Sequence, residues 1–162
     1  MNTLDQEIEQ FRRSEDGRII QGAAHTSQIL NHKVRNKYVI KTFTALRKLN
    51  FDYDSIACSG VSGFLMVPQV AELLNKNIIL VRKTLEKTYS EFLIEGVAPT
   101  RYIIVDDLIC SGNTVKHILR SIKEEHPRAI CMGVYTYMKD ECAYRINPKL
   151  CRGDLGIDYL NP

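Results

Sequence analysis

The chain has 162 residues, 44% hydrophobic and 25% charged. That is the balance of an ordinary globular domain, and it excludes disorder and collagen-like repeats. Lys plus Arg number 22 and Asp plus Glu 19, a net charge of +3, too small an excess for a nucleic-acid-binding face.

Leu4, Ile8 and Phe11 recur at helical spacing and predict an amphipathic helix over residues 3–13. Asp16-Gly17 marks a turn, and residues 18–21 read as a short strand. Residues 22–33 show no period and read as irregular. A second helix is predicted over 34–49, with Tyr38, Phe43, Leu46 and Leu49 near one face. From there strands and helices alternate. Strand 54–58 runs into a small-residue loop, Ser59–Gly63, and then a helix over 64–75, where Pro68 is tolerable only near the first turn. A fully buried strand is expected over 77–81, a polar stretch over 82–91 and a short strand over 92–94. Buried strand 102–106 leads to helix 114–125, with Val115, Ile118, Leu119 and Ile122 on one stripe. Strand 129–138 comes next, and 156–160 is a last strand candidate.

No repeat or linker divides the chain, so residues 1–162 read as one domain. No apolar run approaches the roughly 20 residues that span a bilayer. The acidic, polar start is not a secretory leader, which leads to the expectation of a cytoplasmic protein. The five cysteines (Cys58, Cys110, Cys131, Cys142 and Cys151) are odd in number and lack a C-x-x-C pair. They read as reduced thiols, most simply small buried hydrophobes. Three clustered soft ligands fall short of the four that a structural zinc site wants.

Near-continuous apolar strands alternating with helices predict an α/β fold, a parallel sheet covered on both faces. Ligands in such sheets bind at the carboxyl ends of strands. That singles out residues 58–63, 82–91 and 106–114.

The third of these is the most informative. A buried strand, Ile103-Ile104-Val105, runs into two adjacent carboxylates, Asp106 and Asp107. The small and hydroxylated residues Ser111, Gly112, Asn113 and Thr114 come after, and a helix begins. Unpaired N–H groups at a helix start, with nearby hydroxyls and a glycine permitting close approach, make an anion cradle suited to a phosphate monoester. The carboxylates would repel that phosphate at contact. They suit a neutral vicinal diol a few ångströms away, or a hydrated Mg²⁺. A sugar with a terminal phosphate offers both features. In an ordinary strand-to-helix loop Asp107 would cap the helix and Asp106 would be solvated; the length of the patterned run weighs against that.

The run Val-Asp-Asp-Leu-Ile-Cys-Ser-Gly-Asn-Thr resembles the ribose-phosphate signature of type I phosphoribosyltransferases, departing only at Cys110. The resemblance implies a Rossmann-like parallel-sheet core over about 34–138, with a small variable hood from 1–33 and 139–162. It implies that Asp106 and Asp107 contact the ribose hydroxyls of phosphoribosyl pyrophosphate (PRPP), and Mg²⁺ through water or substrate. Cys110, Ser111, Gly112, Asn113 and Thr114 would hold the 5-phosphate. Residues 53–83 resemble the family's pyrophosphate loop together with the helix and buried strand after it, so Ser59, Gly60, Val61, Ser62 and Arg82 would meet the pyrophosphate. Residues 82–96 resemble the catalytic loop of the orotate and adenine branches, with Lys83 and Lys87 as catalytic cations.

The implied reaction displaces pyrophosphate from C1 of the sugar by a ring nitrogen of a nucleobase, orotate or a purine. Such a transition state needs positioning and charge stabilisation more than a nucleophile. Gly63-Phe64-Leu65 is similar to adenine enzymes, although Ser62 stands where those carry an arginine. Arg82-Lys83 followed by Ile94-Glu95-Gly96 is similar to orotate enzymes, although 21–26 lacks their lysine. His25, Tyr135, Tyr137 and Tyr144 could meet the base; an idle loop histidine and, for Tyr135 and Tyr137, core packing are the simpler readings. The expected partners are PRPP, a nucleobase and a second copy of the chain in a homodimer, with no nucleic acid and no membrane. The alternatives are a non-catalytic PRPP- or nucleotide-binding regulator of the same fold and, from Gly60-Val61-Ser62-Gly63, a KH-like RNA binder. The phosphate-binding G-x-x-x-x-G-K-[ST] loop and the G-x-S-x-G elbow are both missing from the sequence.

Overall fold

The computed structural model describes residues 24–84, 90–109, 112–138 and 143–144. In chain order the elements are α1 (Ala24–Leu30), α2 (His32–Arg47), β1 (Ser55–Ser59), α3 (Gly60–Leu74) and β2 (Asn77–Val81). Then come β3 (Ile94–Gly96), β4 (Arg101–Asp106), α4 (Asn113–Glu125), β5 (Ile130–Thr136) and β6 (Ala143–Tyr144).

The strands form one sheet in the order β3-β2-β1-β4-β5-β6. The inner four run parallel, and the two short edge strands run antiparallel. Ile56 pairs with Ile78 on one side and Ile103 on the other. Side chains alternate across the pleat. Ile56, Cys58, Ile103 and Val105 pack with Val39, Leu46, Met66, Val67 and Val70 of α2 and α3. Ala57, Ile79, Val81 and Ile104 pack on the other face with Val115, Ile118 and Ile122 of α4. The α/β, mostly parallel architecture is therefore the one the sequence predicts. No helix of the described residues is long and apolar enough to cross a membrane.

Several boundaries differ. Residues 24–33 are not irregular: they form α1 and open α2, whose start is capped by Asn31, Oδ1 accepting from Lys33 N at 3.0 Å and Val34 N at 3.3 Å. Ser59–Gly63 is not a loop, because α3 begins at Gly60 directly after β1. Pro68 consequently lies well inside α3 rather than in its first turn. Its ring removes the bond to the Phe64 carbonyl, a loss that the burial of Met66, Val67 and Val70 offsets. β2 is not fully buried: Ile78 and Leu80 are half-covered, because α3 shields only part of that face. The expected strand 92–94 sits two residues later, at Ile94–Gly96, and Phe92 is exposed. The helix expected over 3–13, the strand over 18–21 and the candidate over 156–160 lie outside the described residues.

Candidate functional site

β1 leads through α3 to β2 on one side of the sheet, and β4 leads through α4 to β5 on the other. The winding therefore reverses between β1 and β4. At such a switch point the two departing connections splay apart and leave a crevice at the carboxyl ends of the strands. A cavity of about 190 Å³ lies there. Ser59 and Ser62 line it from the start of α3, and Asp106 and Asp107 from the end of β4. Gly112, Asn113 and Thr114 line it from the start of α4, and Lys83 from just beyond β2.

The acid pair is buried, with Asp106 5% and Asp107 7% exposed. Each carboxylate accepts the next backbone N–H: Asp107 N donates to Asp106 Oδ1 at 3.0 Å, and Leu108 N donates to Asp107 Oδ1 at 2.7 Å. Tyr137 N and Met138 N donate to the carbonyls of Asp106 and Asp107, each at 3.1 Å, so the two residues just past β5 hold the end of β4 in place. Burial, then repulsion by the Asp107 carboxylate, pushes the Asp106 carboxyl up to about 7, while the Lys83 ammonium pulls it down.

The opposite wall presents donors. Ser59 precedes α3 in extended conformation and makes no side-chain cap. Its Oγ is buried without a partner, at 2% exposure of the residue. A buried hydroxyl left unpaired costs free energy unless a ligand meets it. Gly60 turns the chain into the helix with φ +70°. Lys83 lies over this turn: a Cβ on Gly60 would sit 3.3 Å from its Cε and 3.6 Å from its Nζ. Gly112 caps α4 in the left-handed region at φ 73°, and no side chain caps that helix either. The starts of two helices thus border the same space as the carboxylates, an arrangement that can take an anion on one side and a diol on the other.

Of the residues that the sequence nominates, the cavity brings together Ser59, Ser62, Lys83, Asp106, Asp107, Gly112, Asn113 and Thr114. Gly60, Val61 and Arg82 instead line an adjoining apolar groove of about 370 Å³ with Phe64 and Leu80. Arg82 is held there by Glu95, its Nη2 lying 3.2 Å from Oε1 and 3.1 Å from Oε2. Lys87, Cys110 and Ser111 lie outside the described residues, as do the side chains of His25 and Tyr144. Tyr135 and Tyr137 are buried, as core packing requires. Tyr137 also supports the site from behind, its hydroxyl donating to the Ser62 carbonyl at 3.2 Å and its ring meeting Tyr38 at 5.6 Å. Sequence reasoning missed that support, along with the contact of His117 Nε2 with the Arg82 carbonyl at 2.7 Å. Neither leaves a sequence signal, since both join residues tens of positions apart. Among the described residues, no group of three or more His, Cys, Asp or Glu side chains could hold a metal by itself.

This is a doubly wound α/β protein with a donor-rich and an acceptor-rich wall at its switch point. No protein-family model matches the chain. It is 29% identical over 121 residues to the adenine phosphoribosyltransferase of Mycoplasma capricolum, an alignment covering 65% of this chain and 71% of that enzyme. Its fold matches the adenine phosphoribosyltransferase of Trypanosoma brucei with a TM-score of 0.55 at 17% identity, covering 82% of this chain and 66% of that one. It matches the orotate phosphoribosyltransferase of Francisella tularensis with a TM-score of 0.56 at 14% identity, covering 91% and 79%. Sequence similarity and fold point the same way: the chain is similar in sequence to an adenine phosphoribosyltransferase and shares its fold with adenine and orotate phosphoribosyltransferases.

Proposed function

We propose that the protein transfers the 5-phosphoribosyl group of PRPP to a nucleobase, orotate or a purine, forming a nucleoside 5'-monophosphate. A ring nitrogen of the base bonds to C1 of the sugar as the C1–O bond to pyrophosphate breaks. The base gives up its ring proton, and the electron pair of the broken bond leaves on pyrophosphate. The observation that carries this reading is the meeting, in one cavity, of buried adjacent carboxylates with two uncapped helix starts and Lys83. The T. brucei enzyme of the same fold was crystallised with AMP, pyrophosphate and ribose-5-phosphate.

In this reading Asp106 and Asp107 accept hydrogen bonds from the ribose 2- and 3-hydroxyls and orient C1. The start of α4, with Gly112, Asn113 and Thr114, takes the 5-phosphate; Cys110 and Ser111 of the same run are proposed to join it. Ser59, Ser62 and Lys83 meet the pyrophosphate, where negative charge grows as the C1 bond breaks, so their contacts strengthen in the transition state. Lys87 is proposed as a second cation there. The donor set fits Mg²⁺: two carboxylates are hard oxygen donors and too few for a full cage, which suits an ion that keeps its waters and shares substrate oxygens. Asp106 and Asp107 would hold it through water or substrate, and it would add positive charge beside the leaving group.

The sequence likeness to an adenine enzyme makes adenine the first base to try. The test is a panel of adenine, hypoxanthine, guanine, xanthine, uracil and orotate with PRPP and Mg²⁺, monitoring pyrophosphate release. One base should stand out, and chelating the metal should stop its conversion. Silence across the panel alongside tight PRPP binding would make the protein a binder or regulator instead. Sedimentation of the same sample reads the proposed homodimer.

A further inference from the structure

Arg82 and Lys83 are adjacent basic residues with the same resemblance-based expectation, but the structure gives them different surroundings. Along β2, Ile79 and Val81 face α4, while Ile78 and Leu80 face α3. By the same alternation Arg82 continues the row of Leu80 and Lys83 that of Val81. Lys83 lines the cavity as well as the adjoining groove, whereas Arg82 lines the groove alone.

Arg82 is instead tied from three directions. Its backbone N–H donates to the Leu93 carbonyl at 2.9 Å, in the approach to β3. His117 Nε2, one turn into α4, donates to its carbonyl at 2.7 Å. Its guanidinium Nη2 spans both oxygens of Glu95. Glu95 stands opposite Leu80 in the β2–β3 register. A hydrogen bond from the Ser90 side chain and the Arg82 guanidinium hold its carboxyl below the ordinary carboxylate value. The residue before Lys83 is thus pinned to β3 and to α4, the helix whose start forms the phosphate-facing wall.

We propose that Arg82, Glu95 and His117 form a clamp that fixes the peptide at Arg82 and so aims Lys83 over the Ser59–Gly60 turn; Arg82 and His117 are positioning residues, not ligands. The inference rests on the phosphoribosyl-transfer reading for what Lys83 meets, but not for the clamp itself. Lysine has a long flexible stem and a point charge, so its placement depends on the backbone beneath it. An arginine already bound across a carboxylate would have to give up that pair to reach a pyrophosphate.

The test is a double-mutant cycle in the full chain. His117→Leu removes the donor, and His117→Gln supplies a side-chain N–H in its place. Lys83→Met removes the aimed charge. His117→Leu should raise KM for PRPP by about tenfold, and His117→Gln should recover most of that loss. In the Lys83→Met background, His117→Leu and Arg82→Ala should have no further effect, because the clamp acts only through Lys83. Full additivity of Arg82→Ala with Lys83→Met would overturn the proposal and make Arg82 a ligand in its own right. A second readout stands apart from catalysis: after isotope-labelled reductive methylation, the Lys83 resonance should move in His117→Leu and return in His117→Gln. An unmoved resonance at an unchanged melting temperature would also end the clamp. If the wild type neither turns over nor binds PRPP while that resonance behaves as stated, the transfer reading fails and the clamp stands.

Discussion

The two strand-to-helix connections that meet at the cavity solve the same geometric problem in opposite ways. After β1 the chain turns within a single step: Ser59 is the last strand residue and Gly60, at φ +70°, the first of the helix. Tight packing enforces this, since a Cβ on Gly63 would lie 2.8 Å from the Cys58 Cβ. After β4 the chain spends residues 107–112 before α4 starts. The Ser59 side chain makes no cap bond to the helix, so its Oγ and the helix N–H groups remain available to a ligand. The long connection gives room to bury two carboxylates, each of which accepts a backbone N–H locally. In the proposed reading the tight turn supplies the anion site and the longer one the diol site. A sugar esterified at both ends needs both.

The largest effect should come from the long connection. Asp106→Asn with Asp107→Asn keeps the shape but halves the acceptor capacity and removes the charge. We expect transfer to fall by at least about 10²-fold, as when a transition-state contact is lost, with the fold retained by circular dichroism. Full activity in that double variant would remove the diol site. The pair also sets a pH dependence. Folding raises the Asp106 carboxyl from 3.8 to about 7. The folded protein therefore holds a proton that the unfolded chain gives up. Its stabilising contribution is complete below pH 3.8 and is lost as pH rises through about 7. Ligand-free wild type should accordingly lose stability over that window relative to Asp106→Asn, then level off. kcat/KM should run the other way, rising through the same window as the carboxylate becomes an acceptor. A pH profile identical in Asp106→Asn would assign the inflection elsewhere.

The short connection is broken through packing. Gly63→Ala places a methyl where strand and helix touch, and the Cys58 Cβ is no flexible chain end that can swing away. About 1–3 kcal/mol of overpacking cost is expected, read as a lower denaturation midpoint. An unchanged midpoint would mean that α3 shifts freely and the tight turn is not enforced.

Much of this was legible beforehand, and the reason is burial. β4 announces itself because Tyr102 to Val105 are all covered, so its apolar run is continuous, and the acidic pair interrupts it where the sheet ends. The α4 stripe is equally plain because its other face is wet. α1 was not legible: it buries Ser27 as fully as Ile29, so no apolar period appears. The start of α3 was hidden too, since Ser-Gly-Val-Ser-Gly has the composition of a loop; only the contact of Gly63 with Cys58 shows why glycine is there. The split between Arg82 and Lys83 needs to be known from pairing, because Glu95 and His117 come from other elements. Strand alternation indicates that adjacent residues diverge, not which of the two reaches the cavity.

The smallest effect is also the most diagnostic for the short connection. Ser59 Oγ is buried and unpartnered in the ligand-free protein. Ser59→Ala deletes that group and leaves the backbone N–H groups of the α3 start untouched. Removing an unsatisfied hydroxyl should leave stability unchanged or raise it by up to about 1 kcal/mol. If the hydroxyl waits for pyrophosphate, the same change should weaken PRPP and pyrophosphate binding by about three- to tenfold, the worth of one ordinary hydrogen bond. The two effects then have opposite signs, which separates a ligand-facing hydroxyl from one that serves the fold. Calorimetric titration beside a melting curve on the same preparation reads both. A drop in stability with binding unaltered would assign Ser59 to the fold and leave the anion wall to Lys83 and the helix starts alone.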